Sequence, residues 1–183
     1  MNTSRRLTLI AVIIGVSVVV DQITKLIAVM TLKHTPPRSY LGDFFRLQYA
    51  ENTGAMLGFG SDLPEAVRFW VLTVMVGILL LGLLVYLLFN PHLRTSQVIA
   101  FSLISGGGIS NFIDRLLNDG RVVDFMNMGI GWLRTGIFNV ADVLIMIGLG
   151  MVLLLGGWRE RRKPASEEQS PASVPSSSNP PEN

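Results

Sequence analysis

The sequence predicts an all-α membrane protein with four transmembrane helices and both termini in the cytoplasm. Of its 183 residues, 49% are hydrophobic and only 15% are charged, whereas a soluble domain carries roughly 25% charged residues. Its mean hydropathy is +0.47. The apolar residues fall into four blocks, each close to the roughly 20 residues that span a bilayer. These blocks cover about 7–30, 67–89, 97–117 and 138–157.

The distribution of lysine and arginine beside these spans predicts their orientation. Cytoplasmic segments close to a span carry an excess of both residues. Basic residues crowd very short segments on one side, which we assign to the cytoplasm: Arg5, Arg6, Arg94, Arg159, Arg161, Arg162 and Lys163. On the other side they are spread over two longer loops that also carry acids: Lys33, Arg38, Arg46, Arg121 and Arg134.

The segments outside the spans have patterns of their own. Alternating apolar residues over 45–49 predict a short half-buried strand, and the apolar residues in 122–125 predict a second one. A short helix over 64–69 is expected to lie on the membrane surface. The first span is expected to be retained, because Asp21, Gln22 and Lys25 stand where a cleaved signal peptide would need small residues. Residues 1–163 form the predicted membrane domain, and the Ser- and Pro-rich segment 164–183 is predicted to be a disordered cytoplasmic tail.

Composition also excludes several kinds of chemistry. The chain has no cysteine, so disulfides, thiolate nucleophiles and cysteine-based metal sites are excluded. Its two histidines, His34 and His92, are predicted on opposite sides of the membrane and cannot share a metal ion. We therefore expect no metal and no cofactor. A net charge of +2 is too small to indicate a nucleic acid partner.

Polar residues within the spans are the candidate functional residues, because ionisable groups in a membrane are costly. Asp21 and Lys25 are separated by four residues in the first span. Three further sets share a helical face or a neighbouring loop: Asn111, Asp114 and Arg115 in the third span, Asn139 and Asp142 in the fourth, and Asp124 just before it. All of them are predicted to converge near the outer ends of the helices.

Two interpretations of these residues remain open. Asp21 with Lys25, and Asp114 with Arg115 or its neighbours, are equally well explained as structural ion pairs. Asp142, by contrast, has no basic residue within one helical turn. If it lies near Asp124 in a poorly hydrated site, the two carboxylates share one proton, so one serves as a base and the other as an acid.

Other functions fit this pattern of polar residues less well. A serine–lysine dyad using Lys25 is a weaker possibility, because the glycine-rich run 105–110 favours close helix packing over a serine nucleophile. A proton-coupled transporter would need polar groups at several depths, whereas the inner halves of the spans are apolar. A non-catalytic scaffold would not require two unpaired acids at one boundary.

Five short segments make the chain resemble the bacterial lipoprotein signal peptidases, or signal peptidase II, over its whole length up to the tail. Any one of these segments alone would be a weak indication, but five in this order on four spans are specific. They are DQITK at 21–25, ENTGA at 51–55, NFIDR at 111–115, VVDF at 122–125 and FNVAD at 138–142. The chain departs from the usual family pattern at Ser110, where a glycine is common, and at Met56.

The resemblance implies an aspartic endopeptidase of the bacterial inner membrane. It would remove the signal peptide of diacylglyceryl-modified prolipoproteins, cutting before the lipidated cysteine near the periplasmic face. Its implied partners are these substrates, membrane lipids and inhibitors of the globomycin class. Its implied fold adds a small periplasmic β-cradle and a membrane-surface helix. The implied roles are catalysis by Asp124 and Asp142, substrate binding by Asn52, Asn111, Arg115 and Asn139, and support by Asp21, Lys25 and Asp114.

Overall fold

Four long helices and a small antiparallel sheet make up the part of the chain that the structure describes. The computed structural model describes residues 2–55 and 60–160, with side chains through residue 154. Met56, the basic residues 161–163 and the predicted tail 164–183 lie outside the described residues. The helices are α1 (Thr3–Leu32), α2 (Glu65–Phe89), α3 (Thr95–Leu117) and α4 (Val140–Glu160). The strands are β1 (Arg38–Tyr40), β2 (Phe45–Asn52), β3 (Val122–Ile130) and β4 (Leu133–Arg134).

Three of the helices have the length and composition of membrane spans. α1, α2 and α3 contain 30, 25 and 23 residues, and each has an apolar window long enough to cross a bilayer. α4 has 21 residues, and Val140–Leu154 is its apolar part. The four predicted blocks are therefore all helices, while the crossing of the membrane by α4 stays a prediction.

The helix predicted over 64–69 is present, but it forms the first turn of α2 and is not a separate element. Its position on the membrane surface stays a prediction. Residues Glu65–Arg68 continue directly into a π-helical stretch, Phe69–Met75, and then into Val76–Phe89. Pro64 precedes the first turn, where its missing N–H costs no helical hydrogen bond. No glycine or proline occurs between 65 and 76 to end the helix. Short π-helical stretches often mark functional sites.

Glycines allow α3 to pack closely between α1 and α4. A Cβ added to Gly107 would lie 2.5 Å from the carbonyl oxygen of Ala141, and one added to Gly106 would lie 2.6 Å from Cβ of Ser17. Near the other end, a Cβ on Gly148 would lie 2.6 Å from the carbonyl oxygen of Ala100. α3 and α4 are therefore antiparallel and in backbone contact, as small residues permit between membrane helices.

The two ends of the helix bundle differ. At one end, Arg6 near the start of α1 donates to the backbone oxygen of Leu87 near the end of α2. At the other end, Ala28 and Leu32 of α1 form a buried cluster with Phe125 of β3. The sheet therefore lies at the end where α1 finishes and α4 begins.

A register shift within the sheet positions Asn52. The strand order is β1-β2-β3-β4, and all pairs are antiparallel. Leu47 lies opposite Met126 and Ala50 opposite Asp124, so three steps along β2 match two along β3. Such a bulge moves the following residues to the other face of the strand. Asn52 therefore shares the face of Asp124, where an unbulged strand would carry Glu51.

Candidate active site

Asp124 and Asp142 come together where β3 meets the start of α4. Both are buried, and Asn139, which is fully buried, lies between them. The Asn139 amide nitrogen donates to Oδ1 of Asp124 at 2.6 Å, and its backbone N–H donates to Oδ2 of Asp142 at 3.2 Å. The predicted convergence of these two acids is therefore present in the structure.

All four oxygens of these two carboxyl groups accept a hydrogen bond from an amide. Besides the two bonds from Asn139, Asn52 donates to Oδ2 of Asp124 at 2.8 Å and Asn111 donates to Oδ1 of Asp142 at 2.9 Å. Within residues 2–55 and 60–160, neither carboxyl group takes part in an ion pair. The two acids are thus held in place by neutral donors.

The start of α4 accounts for the position of Asp142. The backbone N–H of Asp142 donates to the side-chain oxygen of Asn139 at 3.0 Å, while its carboxylate accepts from the Asn139 backbone. This reciprocal pair is a capping box, which satisfies N–H groups that a helix start leaves free. The spacing of the two residues in the sequence carries the signal for this motif.

A second cluster lies beside the first, and it is fully charged. The Lys25 ammonium lies 2.7 Å from Oδ2 of Asp21 and 2.9 Å from Oδ2 of Asp114. All three side chains are at least 95% buried. The expected ion pair of Asp21 with Lys25 is therefore present, and Asp114 pairs with Lys25 across the helices, while Arg115 forms no ion pair among the described residues. Arg115 instead donates to the backbone oxygens of Gly54 and Asn111.

The two carboxylates of this Lys25 cluster each hold the backbone next to a candidate catalytic residue. Oδ1 of Asp21 accepts from the N–H of Ala141 at 2.7 Å, one residue before Asp142. Oδ2 of Asp114 accepts from the N–H of Val123 at 3.0 Å, one residue before Asp124. Because Lys25 binds both carboxylates, a single cation ties α4 and β3 to α1 and α3.

Lys25 also reaches the candidate pair through Asn111. Its ammonium donates to Oδ1 of Asn111 at 2.8 Å, and the Asn111 amide donates to Asp142. With two carboxylates and an amide oxygen around it, Lys25 is not placed to activate a serine. The Ser110 hydroxyl donates to Asp21 at 2.7 Å. The serine–lysine alternative is therefore unsupported.

Gln22 belongs to this cluster, although the sequence analysis assigned it no role. Its side-chain amide donates to Oδ1 of Asp114 at 2.8 Å and to the hydroxyl of Ser110 at 3.0 Å. Its position within the DQITK segment was the available signal. The backbone donors at 123 and 141 had no signal in the sequence, because an N–H group is present at almost every residue.

Burial changes the acidity of Asp124. Loss of hydration raises the pKa of Asp124 from 3.8 to about 7. The hydrogen bond from Asn52 opposes this shift, and the nearby charge of Asp142 adds to it. A carboxyl group with such a pKa exists in both its protonated and its ionised form near neutral pH, which suits it to proton transfer.

A cavity of about 420 Å³ lies beside the site. Its lining includes Thr53, Arg68, Thr73, Arg115 and Arg121. Of the four residues predicted to bind substrate, Arg115 lines this cavity. The three asparagines instead contact the two carboxyl groups directly. The cavity begins one residue beyond Asn52, so a bound molecule would lie next to the site.

The chain is similar to known proteins over most of its length. The family described as Signal peptidase (SPase) II matches residues 13–156. A lipoprotein signal peptidase of Syntrophotalea carbinolica is 38% identical over 159 residues, covering 85% of this chain and 92% of the relative. One from Leifsonia xyli subsp. xyli is 33% identical, covering 97% of this chain and 83% of the relative.

The fold is also similar to a solved structure. A bacterial membrane enzyme determined by the in meso method superposes with a TM-score of 0.73 at 28% identity, covering 87% of this chain and 94% of that one. Family and fold thus agree with the apolar helices in describing a membrane enzyme. The chain belongs to the signal peptidase II family.

Proposed function

We propose that this protein removes the signal peptide of diacylglyceryl-modified prolipoproteins, using Asp124 and Asp142 to activate water. The similarity to lipoprotein signal peptidases supports prolipoproteins as the substrate class. The arrangement of the two carboxyl groups supports the chemistry. They are buried, joined through Asn139, and held by neutral amides.

Two close carboxyl groups without a cation are suited to sharing one proton. The ionised group takes a proton from water as the water oxygen bonds to the scissile carbonyl carbon. The protonated group gives its proton to the carbonyl oxygen. The tetrahedral species then breaks its C–N bond, and the departing amine of the lipidated cysteine receives a proton. No covalent bond to the enzyme forms, and no metal is needed.

Substrate binding is assigned to the four residues around the pair. Asn52, Asn111 and Asn139 orient the carboxyl groups, and we assign them to the substrate site because they lie directly against the pair. Arg115 lines the adjoining cavity. Globomycin-type inhibitors are expected to occupy the same site.

The membrane placement is also part of this proposal. α1 begins at the end of the bundle opposite the sheet, and α4 runs towards that same end. This fits four crossings with both termini in the cytoplasm of a bacterial inner membrane, and a site near the periplasmic face. The lipid anchor of a substrate would then hold its scissile bond at the depth of Asp124 and Asp142.

The decisive test replaces each carboxyl group by an amide of the same shape. Asp124→Asn and Asp142→Asn should each abolish cleavage of a defined lipidated prolipoprotein in detergent or lipid. Asp62→Asn, at an exposed acid, is the matched control and should keep full activity. Thermal unfolding of all three variants shows whether the fold is retained.

Full activity in either variant of the pair would overturn the aspartic mechanism. Cleavage by the wild-type protein would also argue against a proton-coupled transporter, since transport needs no hydrolysis. Absence of cleavage by a folded wild-type protein would overturn the proposed reaction itself.

A further inference from the structure

The turns at one end of the sheet carry a group of exposed apolar side chains, here called the apolar tip. It comprises Leu41 and Phe44 in the turn between β1 and β2, and Ile130, Trp132 and Leu133 around the turn between β3 and β4. The backbone N–H of Gly129 donates to the oxygen of Phe44 at 2.8 Å, which joins the two turns. The apolar tip is therefore one continuous part of the sheet.

The side chains of the apolar tip are strongly exposed. Trp132 is 93% exposed, Leu41 80% and Ile130 77%. Soluble proteins keep contiguous apolar patches small, and a larger patch marks a surface for an apolar partner. Polar residues would be expected at these turns if they faced water.

The backbone of the first turn is unusual as well. Leu41 has a φ of +54°, followed by Gly42 at +64° and Asp43 at +70°. Leucine rarely adopts this left-handed conformation. The turn thus places an apolar residue outwards at an energetic cost, which is more common at functional positions than elsewhere.

Charged side chains adjoin the apolar tip, and one of them, Asp43, belongs to its first turn. Arg46 donates to Asp43 at 2.6 Å, and Arg134 donates to the backbone oxygen of Asp43 at 2.8 Å and to Asn127 at 2.5 Å. An apolar surface next to arginines matches the boundary of a bilayer, where tryptophan is enriched and arginine reaches the headgroups.

The apolar tip is continuous with the membrane-spanning part of the protein. β3 packs against the end of α1 through Phe125, and Met126 bridges Phe138 just before α4 begins. From Met126 to Ile130 the strand advances about 13 Å at 3.3 Å per residue. Met30, on the last turn of α1, is 76% exposed, so the apolar surface of the spans extends to the end of α1 that packs against β3.

We propose that the apolar tip inserts into the headgroup–acyl boundary of the phospholipid bilayer, on the side where α1 ends. It thereby anchors β3, the strand that carries Asp124, at a constant depth relative to the membrane. This interaction goes beyond the proposed peptidase reaction, and its test needs no enzymatic activity.

Tryptophan fluorescence of the full chain in phosphatidylcholine vesicles tests this proposal. The chain has tryptophans at 70, 132 and 158, so W70F combined with W158F leaves Trp132 as the reporter. Lipids brominated near the headgroup should quench its emission strongly, lipids brominated near the chain end should quench it less, and aqueous iodide should have little effect. Adding W132F gives the background signal.

Two results would overturn the proposal. Quenching by iodide without quenching by brominated lipid would place the apolar tip in water. Protection from both quenchers would show that protein covers it, in place of lipid. A second reporter, W132F with Leu133→Trp and the other two tryptophans replaced, should repeat the lipid quenching if the whole tip is inserted.

Discussion

Within the described residues, two three-residue ion clusters of opposite charge pattern lie in very different surroundings. In the Lys25 cluster, one cation lies between two carboxylates and all three side chains are buried. In a second cluster, Glu51 lies between Lys33 and Arg121, with side chains that are 32–52% exposed. Burial decides how much each cluster contributes to stability. Removing one partner of a buried ion pair leaves an unpaired charge away from water, whereas water screens an exposed pair.

The clusters also differ in what else they bind. The carboxylates of the Lys25 cluster hold the backbone N–H groups next to Asp124 and Asp142. Glu51 binds the hydroxyl of Tyr49 and side chains on the surface. We therefore expect the first cluster to control both stability and activity, and the second to control neither strongly.

The largest effect is expected from Lys25→Met. This change leaves two buried carboxylates without a cation and should lower the free energy of unfolding by about 3–5 kcal/mol. Activity should be lost as well, because both backbone contacts depend on these carboxylates. Denaturant unfolding in detergent measures the first effect and a prolipoprotein cleavage assay the second. Lys33→Met is the control in the exposed cluster, and equal effects of the two changes would refute the comparison.

Amide replacements divide the Lys25 cluster further. In Asp21, Lys25 contacts one carboxylate oxygen and the N–H of Ala141 donates to the other. Asp21→Asn keeps one oxygen, so it can keep only one of these two contacts. In Asp114→Asn, one oxygen can keep both Lys25 and the N–H of Val123. Asp21→Asn should therefore be the more destabilising by about 1–3 kcal/mol, the cost of an unpaired buried N–H group. Thermal unfolding of the two variants side by side decides the order, and the reverse order would contradict this geometry.

The pH dependence of cleavage tests the neutral surroundings of Asp124. Its pKa of about 7 means that the carboxyl group is protonated below that pH and ionised above it. If the pair needs one shared proton, kcat/KM should decline as the pH rises through about 7. Asn52→Ala removes a donor that lowers this pKa, so the decline should move to higher pH.

Asn118→Ala, at an exposed asparagine in the loop after α3, is the control and should leave the profile in place. If the decline in kcat/KM stays at the same pH in Asn52→Ala, it does not report the ionisation of Asp124.

The smallest effect is expected from Glu51→Gln. Hydrogen bonds from Tyr49 and Arg121 lower the pKa of Glu51 to about 2. Any stability that follows is present above the usual pKa of 4.5 and disappears as the pH falls towards 2. Since a third of this side chain is exposed, solvent screens the contribution. Unfolding and cleavage at neutral pH should change little, and a loss comparable to Lys25→Met would show that exposure does not separate the clusters.

Much of the fold was predictable because helices in a membrane leave a strong pattern. The four apolar blocks match the four long helices to within a few residues. The alternation over 45–49 predicted β2, and the apolar residues in 122–125 predicted β3. The helix expected over 64–69 is present but continues into the second span, because helical propensity there does not reveal whether the helix stops. Its continuation into Phe69–Met75 depends on the whole length of α2.

For the site, the pattern identified the polar residues better than their partners. Every candidate in the spans except Arg115 is buried, because a polar group on a membrane helix turns away from lipid. Asp114 pairs with Lys25 and not with Arg115, and this depends on the distance between α1 and α3. Gln22 was overlooked since it is not ionisable, although it contacts the same carboxylate.

The sequence by itself determined the class of protein, the helices and the set of polar residues from which a site is built, because hydrophobic length and helical spacing are local properties. Only the tertiary structure decided which of these residues touch. A bulge in β2 selected Asn52 over Glu51 as the partner of Asp124, and glycine contacts set the spacing of α3 and α4. Hydrogen bonds and ion pairs require atoms within a few ångströms, and such distances follow from packing between segments far apart in the chain.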